Sequence, residues 1–318
     1  MPAETSTHVV FLGFGAVGRH LARLLRPELD KDRIRLTAAV RDLSRYEDSP
    51  APDGVQLVQI DTPGLETAVD SAEIIVEAAG VEPATTYGPG VIAAGKDAVL
   101  TSVGALVDEE IATQLLSGPG RLWVTHGAIG GLDMLSSLAE ADGLDRVGIT
   151  TSKPPASLIQ PWMDDQQQDR LAHLGDDDEP LTVFSGSPRG AIESFPGNTN
   201  VGVALAWATR GLGTSPEDNV RLMQQSLDRV ELNLVADPRL TDARHEIIAT
   251  GAAGRFQFTF ESAPSPENPQ TSITTALSVA HTLRQVLQQL GGSHTTDSGQ
   301  AARLGLRRST LVRPGHAR

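Results

Sequence analysis

Apolar and polar stretches alternate over the first 125 residues in a way that predicts short buried strands separated by helical or loop segments. Apolar runs of strand length occur at residues 9–12, 36–40, 55–58, 74–76, 98–100 and 122–124. Repeated strand–helix–strand units place parallel strands in one sheet and helices on both of its faces. The pattern therefore predicts an α/β fold with a doubly wound parallel sheet.

The pattern changes in the second half of the chain, where alternating strands are mixed with helices. Phe256, Phe258 and Phe260 alternate with polar residues, as in a half-buried antiparallel strand. Further strands are expected at residues 147–151, 181–184, 230–235 and 245–248, and helices at 201–209 and from Ser215 onward. This half is predicted to form an α+β unit with a mixed or antiparallel sheet.

A polar span, a proline-rich break and a long helix complete the predicted elements. Residues 160–180 are acidic without ligand spacing, so we expect a solvated surface loop, and residues 264–269 are expected to break the strand pattern. A long amphipathic helix is predicted over 272–290. Its predicted buried face contains Ile273, Leu277, Ala280, Leu283, Leu287 and Leu290.

Length and composition narrow the class of protein. At 318 residues the chain is long enough for about two domains and a cleft between them. It has no cysteine, no apolar run of membrane-spanning length and no signal-like apolar segment in residues 1–8, so we expect a cytoplasmic protein without a membrane partner. A formal net charge of -14 argues against a nucleic-acid partner.

A glycine motif connects the first predicted strand to the first helix. The motif is G-x-G-x-x-G, with Gly13, Gly15 and Gly18 as its glycines and Ala16 and Val17 opening the helix. In a Rossmann-type sheet these glycines allow a tight turn, the approach of a pyrophosphate and close helix packing. We predict dinucleotide binding here; the alternative is a tight turn without a ligand.

Residues after the second and fourth strands are candidates for further cofactor contacts. Arg41 and Asp42 follow the second strand, where an acid suits the ribose of NAD and an arginine suits the 2′-phosphate of NADP. Both cofactors, or dual use, stay open, as does a solvated charged loop. Ala79 and Gly80 follow the fourth strand, and their small size would accommodate a nicotinamide ribose.

A second glycine cluster lies between the two halves, at residues 126–135. Gly127, Gly130 and Gly131 are three glycines in five residues, which suggests either close approach of a substrate or a simple connection between domains. His126 at this turn and His245 at a strand start are the histidines best placed to face a cleft as a base. Both can equally be structural histidines at strand ends, and we expect no metal site.

Eight short motifs occur in a definite order along the chain. They are G-F-G-A-V-G (13–18), S-V-G-A-L (102–106), G-A-I-G-G-L-D (127–133), K-P-P (153–155), F-P-G-N-T-N-V (195–201), A-D-P (236–238), H-E-I (245–247) and N-P-Q-T-S (268–272). In this order the chain resembles the L-aspartate dehydrogenase family, up to about residue 290.

The resemblance implies a domain order and an activity. It implies a dinucleotide-binding domain over 1–125, an inserted substrate domain over 126–269 and a last helix over 270–290 that returns to the first domain. We expect the remaining residues, 291–318, to form a mobile tail. The implied reaction is reversible oxidative deamination of L-aspartate to iminoaspartate, then oxaloacetate and ammonia, with NAD or NADP as hydride acceptor, in a homodimer.

The resemblance also assigns roles to particular residues. It implies that His245 is the catalytic histidine and that Ala128 and Asn200 contact the cofactor. A base near the substrate amine is chemically reasonable, since hydride leaves the α-carbon only when that amine is neutral. We further expect Gly127, Gly130, Lys153 and Asn198 to hold the substrate carboxylates.

Three features depart from the family pattern and keep alternatives open. The family usually has serine where this chain has His126, residues 215–228 form an extra helix, and residues 160–180 are longer than expected. A different substrate range is one consequence. The alternatives are a two-domain dehydrogenase for another amino or hydroxy acid, and a non-catalytic NAD(P) sensor.

Overall fold

The chain contains a six-stranded parallel sheet followed by a five-stranded mixed sheet. The computed structural model describes residues 6–60, 63–198, 200–265 and 268–295, with only the backbone of 198, 269, 270 and 291–295. The first sheet contains β1 (Thr7–Leu12), β2 (Ile34–Val40), β3 (Val55–Gln59), β4 (Ile74–Glu77), β5 (Asp97–Leu100) and β6 (Leu122–Val124). Its order is β3-β2-β1-β4-β5-β6 and every pair is parallel. The predicted Rossmann-type doubly wound sheet is confirmed.

Helices connect these strands and cover the sheet. They are α1 (Ala16–Leu24), α2 (Arg26–Leu29), α3 (Pro63–Ser71), α4 (Val81–Ala93) and α5 (Glu109–Ser117), with 3-10 turns at Leu43–Tyr46 and Val103–Val107. The central strand β1 is buried on both faces, since Val9, Val10 and Phe11 have no exposed surface. The strand order reverses between β1 and β4, and this point is where open α/β sheets bind ligands.

The second sheet follows a crossover through α6 (Leu132–Glu140). Its strands are β7 (Arg146–Lys153), β8 (Leu181–Gly186), β9 (Glu231–Ala236), β10 (Arg244–Gly251) and β11 (Gly254–Glu261). The order is β11-β10-β7-β9-β8, with β7 and β9 parallel and the other pairs antiparallel, so the prediction of a mixed sheet is confirmed. The helices of this half are α7 (Asp165–Ala172), α8 (Pro188–Ser194), α9 (Asn200–Ala208) and α10 (Pro216–Arg229).

Two segments predicted to lack regular structure contain it. Residues 160–180 include α7, whose start is fixed by a capping box in which Asp164 accepts from the Gln167 backbone N–H and Gln167 accepts from the Asp164 backbone N–H. Such a cap stabilises a short polar helix without much apolar burial. Residues 264–269 do not simply break the pattern either, because β12 (Pro264–Ser265) pairs antiparallel with β13 (Asn268–Ser272).

The last helix, α11 (Ile273–Thr295), packs against α1 and β5 of the first sheet. Its buried face differs from the predicted one, since Leu277 is 46% exposed whereas Val279 and Val286 are fully buried. The helix continues five residues past 290, and residues 296–318 of the expected tail lie outside the described residues. The division into domains at residues 125 and 269 stays a prediction.

Residues of the crossover glycine cluster pack against β11. A Cβ atom built on Gly131 would lie 2.7 Å from the Phe258 ring, and one on Gly130 would lie 3.2 Å from the Phe260 ring. Gly131 also has a φ of 69°, which favours glycine. Close packing against the two phenylalanine rings therefore explains why Gly130 and Gly131 are glycines. Within the described part of the chain, no helix is both long and apolar enough to cross a membrane.

Candidate active site

The turn between β1 and α1 leaves one of its glycines facing open space. Gly13 has a φ of 96°, and a Cβ there would lie 2.8 Å from the Ala78 carbonyl oxygen. A Cβ on Gly18 would lie 2.8 Å from the Gly13 carbonyl oxygen. A Cβ on Gly15, by contrast, would have no heavy atom within 4 Å. Close packing requires the outer two glycines, whereas the middle one leaves free space at the start of α1.

A cavity of about 420 Å³ extends from this turn to the end of β2. Four of the predicted cofactor residues line it, namely Gly13, Gly15, Arg41 and Ala79. Asp42 lines it as well, and caps the following 3-10 turn by accepting from the Ser44 backbone N–H at 3.0 Å. The cavity has the position expected for the adenosine half of a dinucleotide.

Glu77, at the end of β4, holds two loops at the point where the strand order reverses. Its carboxylate accepts from the backbone N–H groups of Ala79, Gly80 and Ser102 at 2.7, 2.9 and 2.8 Å, and from the Ser102 hydroxyl at 2.9 Å. Burial raises the pKa of Glu77, and these hydrogen bonds oppose that rise. Glu77 therefore orders the backbone of Ala79 and Gly80.

A second cavity, of about 240 Å³, lies at the carboxyl edge of the first sheet and shares Ala78 with the first. It is lined from both halves of the chain, by the loops after β4, β5 and β6, by the ends of β7 and β10, and by α9. The predicted site residues brought together here are Val17, Gly80, Gly127, Ala128, Lys153, Asn200 and His245.

His245 lies on β10 and is 4% exposed. Thr151 is its direct partner on β7, and the Thr151 Oγ1 atom lies 2.9 Å from His245 Nδ1. Burial, and secondarily the positive charge of Lys153, lower the pKa of His245 to about 4. The imidazole is therefore neutral at physiological pH and able to accept a proton.

Lys153 ends β7, two residues from Thr151 on the same side of the strand. It lines the cavity together with His245, and burial lowers the pKa of its ammonium group. A cation in a poorly hydrated cavity binds a carboxylate more strongly than one in water does.

Asn200, at the start of α9, connects the second half of the chain to the loop after β5. Its Oδ1 atom accepts from the Gly104 backbone N–H at 3.0 Å. A Cβ on Gly104 would lie 3.1 Å from this oxygen and 2.6 Å from Ile192. Because Oδ1 already accepts this hydrogen bond, the NH₂ group of Asn200 is the part of the side chain that can donate to a ligand.

His126 also lines the cavity, and its tautomer is fixed. Its Nδ1 atom lies 2.8 Å from the Ile129 carbonyl oxygen, which only accepts, so Nδ1 carries the proton. The backbone N–H groups of His126 and Gly127 both donate to the Ser278 hydroxyl, at 3.0 and 3.1 Å. Burial lowers the pKa of His126. The two hydrogen bonds to Ser278 attach the crossover turn to α11.

Two predicted residues, Gly130 and Ala16, do not line either cavity. Gly130 contacts β11 instead, and Ala16 is the first residue of α1 without lining a cavity. The side chain of Asn198 lies outside the described residues. Within the described ranges, no cluster of three or more His, Asp or Glu side chains is arranged to hold a metal ion.

Sequence reasoning missed Glu77, Ser102, Thr151 and Ser278. Glu77 is an acidic residue at the end of the otherwise apolar strand β4, and this unusual position is the signal that could have identified it. No local signal marks Thr151 or Ser278, because each acts on a residue more than 90 positions away.

Comparison with known proteins identifies both halves of the chain. Residues 13–118 match the family described as homoserine dehydrogenase, NAD binding domain, and residues 133–286 match aspartate dehydrogenase, C-terminal. An L-aspartate dehydrogenase from Ruegeria pomeroyi is 32% identical over 288 residues, covering 89% of this chain and 94% of the relative. One from Brucella anthropi is 32% identical over 285 residues, covering 88% and 96%. The crystal structure of aspartate dehydrogenase from Thermotoga maritima is similar in fold, with a TM-score of 0.58, 24% identity and coverage of 90% and 96%.

Proposed function

We propose that this chain, which belongs to the L-aspartate dehydrogenase family, catalyses the reversible NAD(P)-dependent oxidative deamination of L-aspartate. The relatives that match most of its length carry that name. The observation that carries the proposal is the cavity in which His245 and Lys153, from the second sheet, face the carboxyl edge of the NAD-binding sheet. The chain is an oxidoreductase with NAD or NADP as cofactor.

The residues of the first sheet fit a dinucleotide. The space beside Gly15 is what a pyrophosphate needs, and its position at the start of α1 favours an anion. The two cavities that share Ala78 provide for the two halves of the molecule. Ala128, Gly80, Val17 and the Asn200 amide would hold the nicotinamide half, which supplies the hydride acceptor when bound.

His245 acts on the substrate as a general base. The α-ammonium group of L-aspartate must lose a proton before hydride leaves the α-carbon, because the nitrogen lone pair forms the new C=N bond. The Thr151 hydroxyl can accept from Nδ1 or donate to it, and in the tautomer in which Nδ1 donates, the Nε2 lone pair of His245 accepts that proton. Two electrons leave with the hydride, and the product is iminoaspartate.

A pKa of about 4, caused first by burial and then by the Lys153 charge, makes His245 a weak base in the unliganded protein, and a bound substrate carboxylate would offset the second of these causes. Each carboxylate that enters the cavity offsets the positive charge of Lys153 and favours a protonated imidazole. Lys153 would contact one carboxylate, whereas the backbone N–H of Gly127, predicted to be a second donor, already donates to the Ser278 hydroxyl. Once its proton has passed to solvent, His245 can take a proton from a water molecule that adds to the imine carbon and return it to the leaving nitrogen, so that ammonia departs and oxaloacetate remains.

Reduction of NAD and NADP by a panel of L-amino acids and 2-hydroxy acids, followed by absorbance, tests this proposal. We expect turnover with L-aspartate and at least about 10²-fold lower kcat/KM with L-glutamate or L-malate, because a misplaced carboxylate or a missing amine loses charge-assisted contacts. Preference for another acid would replace the proposed substrate. Cofactor binding without any turnover would favour a sensor.

A further inference from the structure

We propose that the cavity at the end of β2 contains a subsite for a phosphate monoester on the adenosine 2′ position, so that the chain selects NADP over NAD. This inference rests on the proposed use of a nicotinamide dinucleotide. Two arginines, Arg41 and Arg45, carry it.

The acidic residue that would mark NAD selection has one of its two carboxylate oxygens engaged within the turn. Asp42 Oδ1 accepts from both the backbone N–H and the hydroxyl of Ser44, at 3.0 and 2.7 Å. These two hydrogen bonds lower the pKa of Asp42, with a smaller contribution from Arg45. Recognition of an unphosphorylated ribose depends on a carboxylate that accepts from the ribose hydroxyls. Here one oxygen of that carboxylate, Oδ1, caps the turn.

Two guanidinium groups are available at the same place. Arg41 and Arg45 are exposed and both line the cavity. Neither donates a hydrogen bond to a side chain or carbonyl in the part of the chain that the structure describes. A phosphate monoester is close to a dianion at neutral pH, and guanidinium groups bind it through paired N–H donors.

The turn that carries Arg45 is fixed to the glycine turn. The Tyr46 hydroxyl donates to the Phe14 carbonyl oxygen at 3.0 Å. The Arg19 guanidinium lies 4.8 Å from the Tyr46 ring centroid and donates to the Ser49 hydroxyl at 3.2 Å. Arg45 is therefore next to an anchored residue, which lowers the entropic cost of ordering its backbone around a ligand.

The charges of the cavity favour the added phosphate at this end. Among the residues after β2 that line the cavity, two are cations, Arg41 and Arg45, and one is a carboxylate, Asp42. The other carboxylate in the wall, Glu82, belongs to α4, which follows β4. A neutral ribose gains little from the two arginines, whereas a phosphate gains from both.

Calorimetric binding of adenosine nucleotides tests the subsite without requiring dehydrogenase activity. The probes are 5′-ADP, 2′,5′-ADP and 3′,5′-ADP, of which the last two carry the same charge. We expect 2′,5′-ADP to bind at least about tenfold more tightly than each of the others, as one or two charge-assisted contacts would give. Equal binding of 5′-ADP and 2′,5′-ADP would overturn the proposal, and equal binding of the two bisphosphates would reduce it to unspecific charge attraction.

Variants assign the effect to the two arginines. Arg41→Ala and Arg45→Ala should each reduce the advantage of 2′,5′-ADP by about tenfold or less, and the double variant should abolish it, while 5′-ADP binding stays within about twofold. Arg170→Ala, which removes a charge from α7, is the matched control and should change nothing. An unchanged preference in the double variant would contradict the assignment.

The variant Asp42→Asn tests whether Asp42 only caps the turn or also binds the ribose hydroxyls of NAD. It should leave 5′-ADP binding unchanged, since the carboxylate caps the turn, whereas a tenfold or larger loss of 5′-ADP affinity would contradict the proposal. The failures are distinguishable. A chain that prefers 2′,5′-ADP but does not oxidise L-aspartate disproves the proposed reaction alone, and one that oxidises L-aspartate without this preference disproves the subsite alone.

Discussion

Thr151 lies directly opposite His245 in the antiparallel pairing of β7 with β10, and its Oγ1 atom is 2.9 Å from His245 Nδ1. Thr151 has no exposed surface, so no water competes for this contact. The hydrogen bond orients the imidazole and leaves Nε2 as the nitrogen for the substrate. Thr151 is thus a positioning residue for the base.

Replacing Thr151 by valine should remove this orientation while keeping the shape of the side chain. We expect Thr151→Val to lower kcat by about 10- to 100-fold and to shift the pH profile of kcat/KM, with cofactor binding unchanged, because only the base is disturbed. Thr151→Ser keeps the hydroxyl and should recover most of the activity. A valine variant with the wild-type kcat and pH profile would show that Thr151 only fills space.

The glycines at residues 15 and 18 should respond differently to an added methyl group. Gly15→Ala should leave stability within about 0.5 kcal/mol but weaken cofactor binding at least about tenfold, because the methyl occupies space needed by the pyrophosphate. Gly18→Ala should lower the free energy of unfolding by about 1–3 kcal/mol, since its methyl would meet the Gly13 carbonyl oxygen. Urea unfolding and fluorescence titration with NADPH measure the two effects. Normal cofactor affinity in Gly15→Ala would exclude the proposed position of the pyrophosphate.

The buried histidine should make the protein less stable in mild acid. The pKa of His245 is lowered to about 4 from its ordinary value of 6.5, first by burial and then by Lys153. Between these values the unfolded chain binds a proton that the folded chain does not. Stability is therefore complete above pH 6.5 and falls as the pH approaches 4.

The size of this loss of stability follows from the difference between the pKa values of His245 in the folded and unfolded chains. His245 should account for about 2 kcal/mol of lost stability between pH 7.5 and pH 5, so His245→Asn should show a correspondingly smaller loss over that interval. Urea unfolding of both proteins at the two pH values measures it. An identical pH dependence in the variant would mean that His245 titrates alike in the folded and unfolded chains.

Much of the fold could be predicted because its signals are local. The apolar runs of the first sheet and the glycines at 13, 15 and 18 act on near neighbours, and both the strand order and the open space at Gly15 agree with them. The prediction of a loop at residues 160–180 is wrong in part, because a local capping box stabilises a helix there. There Asp164 and Gln167 start a helix in a segment with few apolar residues.

The contacts that shape the site could not be predicted in the same way. His245 is a candidate from its place at a strand start and is assigned its role by the resemblance, but Thr151 can be paired with it only when the register of β7 and β10 is known. Leu277 matches the helical period and is nevertheless exposed, since burial depends on how α11 lies on the first sheet. The glycine turn was expected to approach a substrate. Gly127 lines the cavity, whereas Gly130 contacts Phe260.

The assignment of His245 as the base is tested most directly by the rate of L-aspartate-dependent cofactor reduction in His245→Asn, measured beside the affinity for NADPH and NADH. We predict that kcat falls by at least about 10²-fold while both dissociation constants stay within about threefold, because the base is lost and the cofactor contacts remain. The matched control is His173→Asn, which replaces an exposed histidine at the C-terminal cap of α7. This variant should have the turnover rate of the wild type. Near-normal turnover in His245→Asn would contradict the account.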